Sequence, residues 1–281
     1  MPLVTVIVPN YNHEFFLRKR IDSILNQTFK DFEIVILDDC STDNSRQIIE
    51  AYRNNEYVNH ILYNSKNSGS TFIQWKKGLE LAKGKFIWIA ESDDFCDLNF
   101  LDILSKILLQ NKEAAIAYSK SIRVDEMDNK IGDLSFWYDD LSKKKWKKNY
   151  SIDGKTEIRN YLMYKNTIPN ASAVLFRKES LHFFDDKILN FKVCGDWYFW
   201  ISILIGNRIN YSTETTNYFR THSNSVRNTK GNAELIELEE KIIKEYLVEK
   251  KIVNKKYLQK KVTNKNRYLS KAISFIKSIL K

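Results

Sequence analysis

The sequence predicts an α/β fold: a mostly parallel sheet flanked by helices, with a C-terminal helical extension. Three observations predict it. Apolar runs of four or five residues alternate with segments of helical period through the first hundred residues. The runs are almost unbroken by polar residues, as in strands covered on both faces. The intervals between them each hold one crossover helix, the signature of βαβ units.

The elements follow in order. Val4-Thr5-Val6-Ile7-Val8 is the first strand, and after a cap position at Asn12 come Leu17, Ile21, Ile24 and Leu25 at helical spacing. Ile34 to Leu37 is the second strand, closed by Asp38-Asp39. Ser41, Thr42 and Asp43 supply capping oxygens for a helix through Ile48 and Ile49. His60 to Tyr63 is the third strand, Gln74 to Ala82 a helix, and Phe86 to Ala90 the fourth strand. A helix over 98–110 and a strand at Ala115 to Tyr118 follow. The stretch 125–156 has no sustained period and mixes Trp137, Tyr138, Trp146 and Tyr150 with five lysines between Lys143 and Lys148. Two readings stand for it: a substrate-covering loop, or a solvated loop held by a few aromatic anchors. Beyond it, Ser172 to Phe176 is a strand, Asp196 to Ile205 a buried helix, and Asn210 to Ser212 and Asn217 to Thr221 are short strands. From Asn232 the pattern is helical. The expected division is a catalytic domain over 1–227 and a basic helical extension over 228–281.

Composition narrows the function. With 43% hydrophobic and 13% aromatic residues among 281, the chain is too apolar to be disordered and long enough for one large core. Cys40, Cys96 and Cys194 are odd in number and form no C-x-x-C pair, which argues against a disulfide framework or zinc cluster and for a reducing cytoplasm. The first apolar run ends at Pro9 with no basic stretch before it, and the longest, Trp197 to Ile205, is nine residues, short of a bilayer span. A cytoplasmic chain is therefore expected. The net charge of +10 is local: residues 255–281 carry nine Lys or Arg and no acid, while the rest holds 36 basic against 35 acidic residues. Leu269, Ala272, Ile273, Ile276, Ile279 and Leu280 share one helical face of that tail. Such a helix suits an anionic membrane surface, placing the protein at the inner face of the membrane. It equally suits packing on the catalytic domain or on a second copy in a homodimer. A neutral body without a recognition motif argues against nucleic acid.

In a parallel sheet, ligands bind beyond the carboxyl ends of the strands. Those ends deliver Pro9 to Asn12, Asp38-Asp39, Asn64 to Gly69, and Glu91-Ser92-Asp93-Asp94 to one rim. Turn and cap chemistry accounts for Ser41 and Asp43. It accounts poorly for three carboxylates within four residues, which repel unless a cation sits among them. Mn2+ or Mg2+ bridging phosphates is the simplest partner.

These segments, in this order, resemble family 2 glycosyltransferases: Val6 to Asn12, Ile36 to Asp43, Asn67-Ser68-Gly69 and Ile89 to Asp94. The resemblance runs to about Arg227. It implies the GT-A fold, which is Rossmann-like, and an inverting transfer of a sugar, of hexosyl or N-acetylhexosaminyl type, from a UDP-sugar donor. The acceptor implied is a glycan or lipid-linked hydroxyl in polysaccharide synthesis at the cell envelope. It implies that Pro9, Tyr11 and Asn12 hold the nucleoside, Asp39 reads the uracil imide, and Asn67 lines base and ribose. Glu91-Ser92-Asp93 stands at the D-x-D position, with Asp93 on the metal. Gly195-Asp196 matches an acidic pair whose Asp is the catalytic base. Tyr218 to Ser225 resembles a closing segment in which His222 completes the metal shell and Arg220 meets the diphosphate. Asp94, Asn170, Ser172 and Trp197 are assigned to the acceptor side.

Several positions depart from the family pattern. Glu91 replaces an Asp, Cys40 replaces a Gly that gives freedom at positive φ, Gly195 replaces an acid, and Ser202 stands where an Arg is usual. Gln74-Trp75-Lys76 replaces an Arg-Asn pair, and Lys76 or Lys77 is expected to supply the missing positive charge. Two alternatives remain: a non-catalytic nucleotide- or sugar-binding protein on the same scaffold, or a nucleotidyltransferase. The Gly-rich basic loop of the latter is missing after the first strand, as is the G-x-G-x-x-G of dinucleotide oxidoreductases.

Overall fold

The β-branched run at the start of the chain becomes the inner strand of the sheet, β1 (Val4–Asn10), with all seven residues buried. The computed structural model describes residues 1–183, 185–222 and 232–254. After β1 come α1 (Glu14–Leu25), β2 (Phe32–Asp38), α2 (Ser45–Glu50), β3 (Val58–Tyr63), α3 (Thr71–Leu81) and β4 (Phe86–Ile89). These are the alternating units that the periodicity predicts. β2 and β4 flank β1 in parallel, and β3 adds to β2 in parallel.

The second half of the sheet is mixed. β5 (Phe95–Cys96), α4 (Phe100–Gln110), β6 (Ala114–Val124) and β7 (Lys130–Asp133) lead to α5 (Ser135–Tyr138), β8 (Tyr150–Asp153) and α6 (Gly154–Glu157). Then come β9 (Val174–Arg177), α7 (Gly195–Leu204) and β10 (Arg208–Arg220). The order is β3-β2-β1-β4-β9-β6-β10-β5, with β9 antiparallel to both neighbours and β6 parallel to β10. The two short strands expected at 210–212 and 217–221 are one strand, β10, broken by a register shift between Ser212 and Thr216. A bulge there hides the continuity from the sequence pattern.

Both faces are covered. Val4, Val6, Val8, Ile34, Ile36, Phe86 and Trp88 pack with Leu17, Ile21 and Ile24 of α1 and Leu101, Leu104 and Leu108 of α4. On the other face α3 presses on β1 so closely that a Cβ on Gly78 would lie 2.4 Å from an Ile7 methyl. Every residue of α7 is buried.

The 125–156 stretch follows the anchored reading. Tyr138 and Trp146 are stacked and buried, Trp146 Nε1 donates to the Tyr118 hydroxyl at 2.8 Å, and Trp137 Nε1 donates to the Asn166 carbonyl at 2.7 Å. Lys145 enters the same cluster, over Tyr161 at 3.6 Å and Tyr150 at 4.4 Å, and forms an ion pair with Glu157, which is fully buried. Burial pushes the Lys145 amine down to about 8. The other four lysines are exposed.

The first compact unit runs from Met1 to His222, five residues short of the expected boundary, and a second unit follows from Ser223. In the second, α8 (Asn232–Glu249) confirms the helical pattern from Asn232. The basic stripe of 255–281 lies outside the described residues. Among the described residues no helix is long and apolar enough to cross a membrane.

The Lys145–Glu157 pair gives a stability test. Lys145→Met strands a buried carboxylate and is expected to lower unfolding free energy by about 3 kcal/mol. Lys145→Met with Glu157→Leu, which strands none, should cost clearly less by urea denaturation.

Candidate active site

Register sets the rim. Asn10 and Asp38 end neighbouring strands side by side, and Asn10 Nδ2 donates to Asp38 Oδ1 at 2.9 Å. Asp38 also accepts from the Ser41 amide at 3.0 Å, so it is structural. Pro9 is buried within β1, whereas Tyr11 is exposed. Asn12 sits at φ +54°, its amide donating to Ser41 Oγ at 2.9 Å and its Oδ1 accepting from the Thr42 amide at 2.8 Å. Cys40 takes φ +63°, so the turn keeps the left-handed geometry of the absent glycine at a cost of about 1–2 kcal/mol.

Asp39 is the hub of a hydrogen-bond network just beyond β2. Its Oδ1 accepts from Asn64 Nδ2 at 2.5 Å, the Ser68 amide at 2.9 Å and Gln74 Nε2 at 2.9 Å, while Oδ2 accepts from Ser68 Oγ at 2.7 Å. Asn67 Nδ2 donates to the Asp39 carbonyl at 3.2 Å. Lys77, not Lys76, joins this network, through Asn64 Oδ1 at 2.6 Å. Lys76 is instead held in an exposed ion pair with Asp186 at 2.8 Å.

The departures from the family pattern are wired together. Trp75 Nε1 donates to Glu91 Oε1 at 2.9 Å, so the longer acid at the first D-x-D position meets the indole that replaces part of the Arg-Asn pair. The buried Arg20 donates from Nε to the Glu91 carbonyl at 2.8 Å and lies 5.3 Å over the Trp88 ring. Burial, and then the charge of Asp93, push the Glu91 carboxyl up to about 8. Burial and Asp93 also raise Asp94. For Asp93 itself burial works upward, but the His222 hydrogen bond and the two nearby imidazoles outweigh it and hold the carboxyl below its usual range.

Four residues assigned to the acceptor side are buried and bonded internally. Asp94 accepts from the Arg220 amide at 2.9 Å and from Asn217 Nδ2 at 3.3 Å. Asn170 links Ser121 and Asn217, and Ser172 Oγ accepts from the Glu91 amide at 3.1 Å. Trp197 donates from Nε1 to the Leu162 carbonyl at 2.8 Å. Asp94, Asn170 and Ser172 tie the acidic loop to β6, β10 and the turn before β9.

Arg220 departs in the same way from its expected place on the diphosphate. Its side chain is 1% exposed and donates to the Asp93 carbonyl, the Asp125 carbonyl and Asp128 Oδ1, at 2.7, 2.7 and 2.5 Å. Phe16 lies against its guanidinium at 4.5 Å. Arg220 braces the backbone of the acidic loop.

Asp93 and His222 are brought together across 129 residues, His222 Nε2 to Asp93 Oδ2 at 3.1 Å. The structure adds a residue that sequence reasoning missed. His13 lies so that one ligand atom of each of His13, Asp93 and His222 falls within 4.8 Å of the others. His13 Nδ1 is 2.8 Å from Ser92 Oγ. Burial lowers the His13 imidazole below its usual value, which favours the neutral form that binds metals. His13 follows the matched Asn12 directly, and that adjacency was the available signal. Glu91 is not one of the three.

Asp196 occupies the first turn of α7, where amide dipoles favour an anion. Its Oδ2 accepts from Asn166 Nδ2 at 3.0 Å and its Oδ1 from the Trp197 amide at 2.7 Å. Gly195 has a steric cause: a Cβ there would sit 2.6 Å from the buried Phe72 ring, which leaves no room for an acid. Ser202 is buried in the same helix and donates to the Tyr198 carbonyl at 2.9 Å.

The half-parallel sheet with its acidic rim is an α/β transferase scaffold, and the sequence comparison specifies it: residues 5–184 match the glycosyl transferase family 2 model, and the chain belongs to that family. Glycosyltransferase GlyG of Streptococcus pneumoniae is 33% identical over 126 residues, 45% of this chain and 41% of that one. TarS of Staphylococcus aureus, a poly(ribitol-phosphate) β-N-acetylglucosaminyltransferase, is 39% identical over 95 residues, 32% of this chain and 16% of its own. The chain thus spans well under two thirds of either relative. The structure of TarS 1–349 with UDP-GlcNAc superposes with a TM-score of 0.63 at 23% identity, over 79% of this chain and 59% of that one. A mannosyltransferase from Pyrobaculum calidifontis, bound to GDP-Man and Mn2+, gives 0.57 at 16% identity, over 80% and 59%. Both likenesses establish the GT-A fold.

The Cys40 turn is directly testable. Glycine relieves the left-handed strain and a β-branched residue worsens it. The urea midpoint is expected to rank Cys40→Gly above the native chain and Cys40→Val below it, the extremes differing by about 1–2 kcal/mol.

Proposed function

We propose that this chain transfers a sugar from a UDP-sugar to an acceptor hydroxyl, with inversion, in the synthesis of a cell-surface polysaccharide or lipid-linked glycan. The observation that carries the reading is that one helix, α3, touches all three parts of the site. Gln74 bonds Asp39 at the nucleoside end, Trp75 bonds Glu91 of the acidic loop, and Phe72 packs under Gly195 beside Asp196. Family membership, and the nucleotide sugars bound by the structural neighbours, support a nucleotide-sugar donor.

Asp39 Oδ2 holds one protein hydrogen bond, which leaves a lone pair for the imide N–H of uracil. Tyr11, Asn12 and Asn67 border that end. Asp93, His222 and His13 fit a divalent cation: their donors converge, and the site is part open, with His13 and Asp93 half-buried. Mn2+ or Mg2+ held by these residues would supply positive charge against the leaving diphosphate. Asp196 accepts the proton of the acceptor hydroxyl as its oxygen bonds to the anomeric carbon and the bond to the diphosphate breaks. Attack from the face opposite the diphosphate inverts that carbon, so no covalent sugar–enzyme species is needed. Asn166 and the α7 N-terminus hold the Asp196 carboxylate in place for this step. Neither hexosyl nor N-acetylhexosaminyl donors are favoured by any contact in the site, so both belong in the donor screen.

Removing the base separates an enzyme from a binding protein. Asp196→Asn is expected to lower UDP release from a UDP-sugar with acceptor by about 100-fold or more, with UDP affinity unchanged by calorimetry. Turnover at the native rate would take the base role from Asp196. No turnover by the native chain, with UDP still bound, would favour a non-catalytic binding protein.

A further inference from the structure

We propose that His13 is a third metal ligand, making the site two imidazoles and one carboxylate, and that it biases the site toward Mn2+ over Mg2+. This rests on the reading that Asp93 and His222 take a divalent cation and is independent of which sugar is moved.

The geometry is built for ligation. His222 Nε2 and Asp93 Oδ2 are 3.1 Å apart, close to the separation of about 3 Å between adjacent ligands about 2.1 Å from one ion. The His13 and His222 rings meet edge to face, centroids 5.4 Å apart, and Phe16 packs against both at 6.1 and 5.3 Å. The His13 carbonyl accepts the Phe16 and Leu17 amides at 3.0 and 2.9 Å, so the ring hangs from the rigid start of α1. Ser92 Oγ, 2.8 Å from Nδ1, sets the ring's orientation and leaves Nε2 as the nitrogen available to an ion. Ser92 is buried, so this contact is shielded from water.

Chemistry gives the selectivity. Both ions accept oxygen ligands, but Mg2+ is the smaller, demands near-ideal octahedral geometry and gives up its waters reluctantly. Mn2+, a transition metal, takes an imidazole nitrogen more readily than Mg2+ does. One imidazole beside a carboxylate discriminates weakly. A second, from a different element of the fold, adds a nitrogen donor of little use to Mg2+.

The test is metal binding by the full chain without nucleotide, read from the free Mn2+ electron paramagnetic resonance signal. His13→Gln is expected to weaken Mn2+ binding by about tenfold, with Mg2+ competition changed by less than about twofold. Pulsed measurement on bound Mn2+ should show nitrogen coupling from two imidazoles in the native chain and one in the variant. Equal Mn2+ affinity in the two, or single-imidazole coupling in the native chain, overturns the proposal, and the second result needs no variant to fold. Thermal stabilisation by UDP in the presence of Mn2+ is measured in parallel. If UDP binds but two-imidazole coupling is missing, the ligand assignment alone fails. If the coupling is present but UDP does not bind, the donor reading fails and the metal site stands.

Discussion

The site depends on the placement of one helix. α3 lies against β1 with no space for a side chain at Gly78, which fixes its distance from the sheet to within a methyl group. From that position three of its residues reach the parts of the rim: Phe72 to Gly195 beside Asp196, Gln74 to Asp39, Trp75 to Glu91. Hydrogen bonds from a buried helix cost little further ordering once its packing is fixed. Two of these side chains thereby hold the carboxylates of two different loops, and the third packs against the first turn of α7. The departures from the family pattern become one arrangement in this light. A longer acid at Glu91 goes with an indole at Trp75 that can reach it, and a glycine at 195 goes with the phenyl ring at Phe72.

Charge compensation around the acidic loop is the second constraint. Three carboxylates in four residues would repel one another in a buried setting. Arg20 and Arg220 sit behind the loop, both buried, and donate to the carbonyls of Glu91 and Asp93 rather than to their side chains. This division leaves the Asp93 carboxylate facing the histidines while the backbone behind it is held. Arg220 further grips the 125–128 turn, and Lys19 of α1 pairs with Asp128 at 2.5 Å. Loop, turn and first helix form one braced unit around Asp93 and the two histidines.

Much of the framework was legible in the sequence. Leu17, Ile21 and Ile24 lie in the core as their spacing requires, and the four strand ends bring Asn10, Asp38, Asn64 and Glu91 to one edge. The antiparallel insertion of β9 was not legible, because an apolar run says nothing of strand direction. The single long β10 was hidden by its bulge, and the 125–156 aromatics looked available for sugars because only their partners, Tyr118, Asn166 and Tyr211, show that they are anchors.

By itself the sequence determined the order of elements, the acidic rim and the family, since burial period and turn chemistry are local properties carried by neighbouring residues. The tertiary structure decided which polar groups face the cleft and which support it. Arg220, Asn170, Ser172 and Trp197 carry polar groups suited to a ligand, yet each side chain bonds a protein group far along the chain. His13, unremarkable in its loop, gains its place from Asp93 and His222, 80 and 209 positions away. The physical reason is that a side chain's role is set by which partner lies within about 3 Å of it, and such distances follow from packing rather than from sequence spacing.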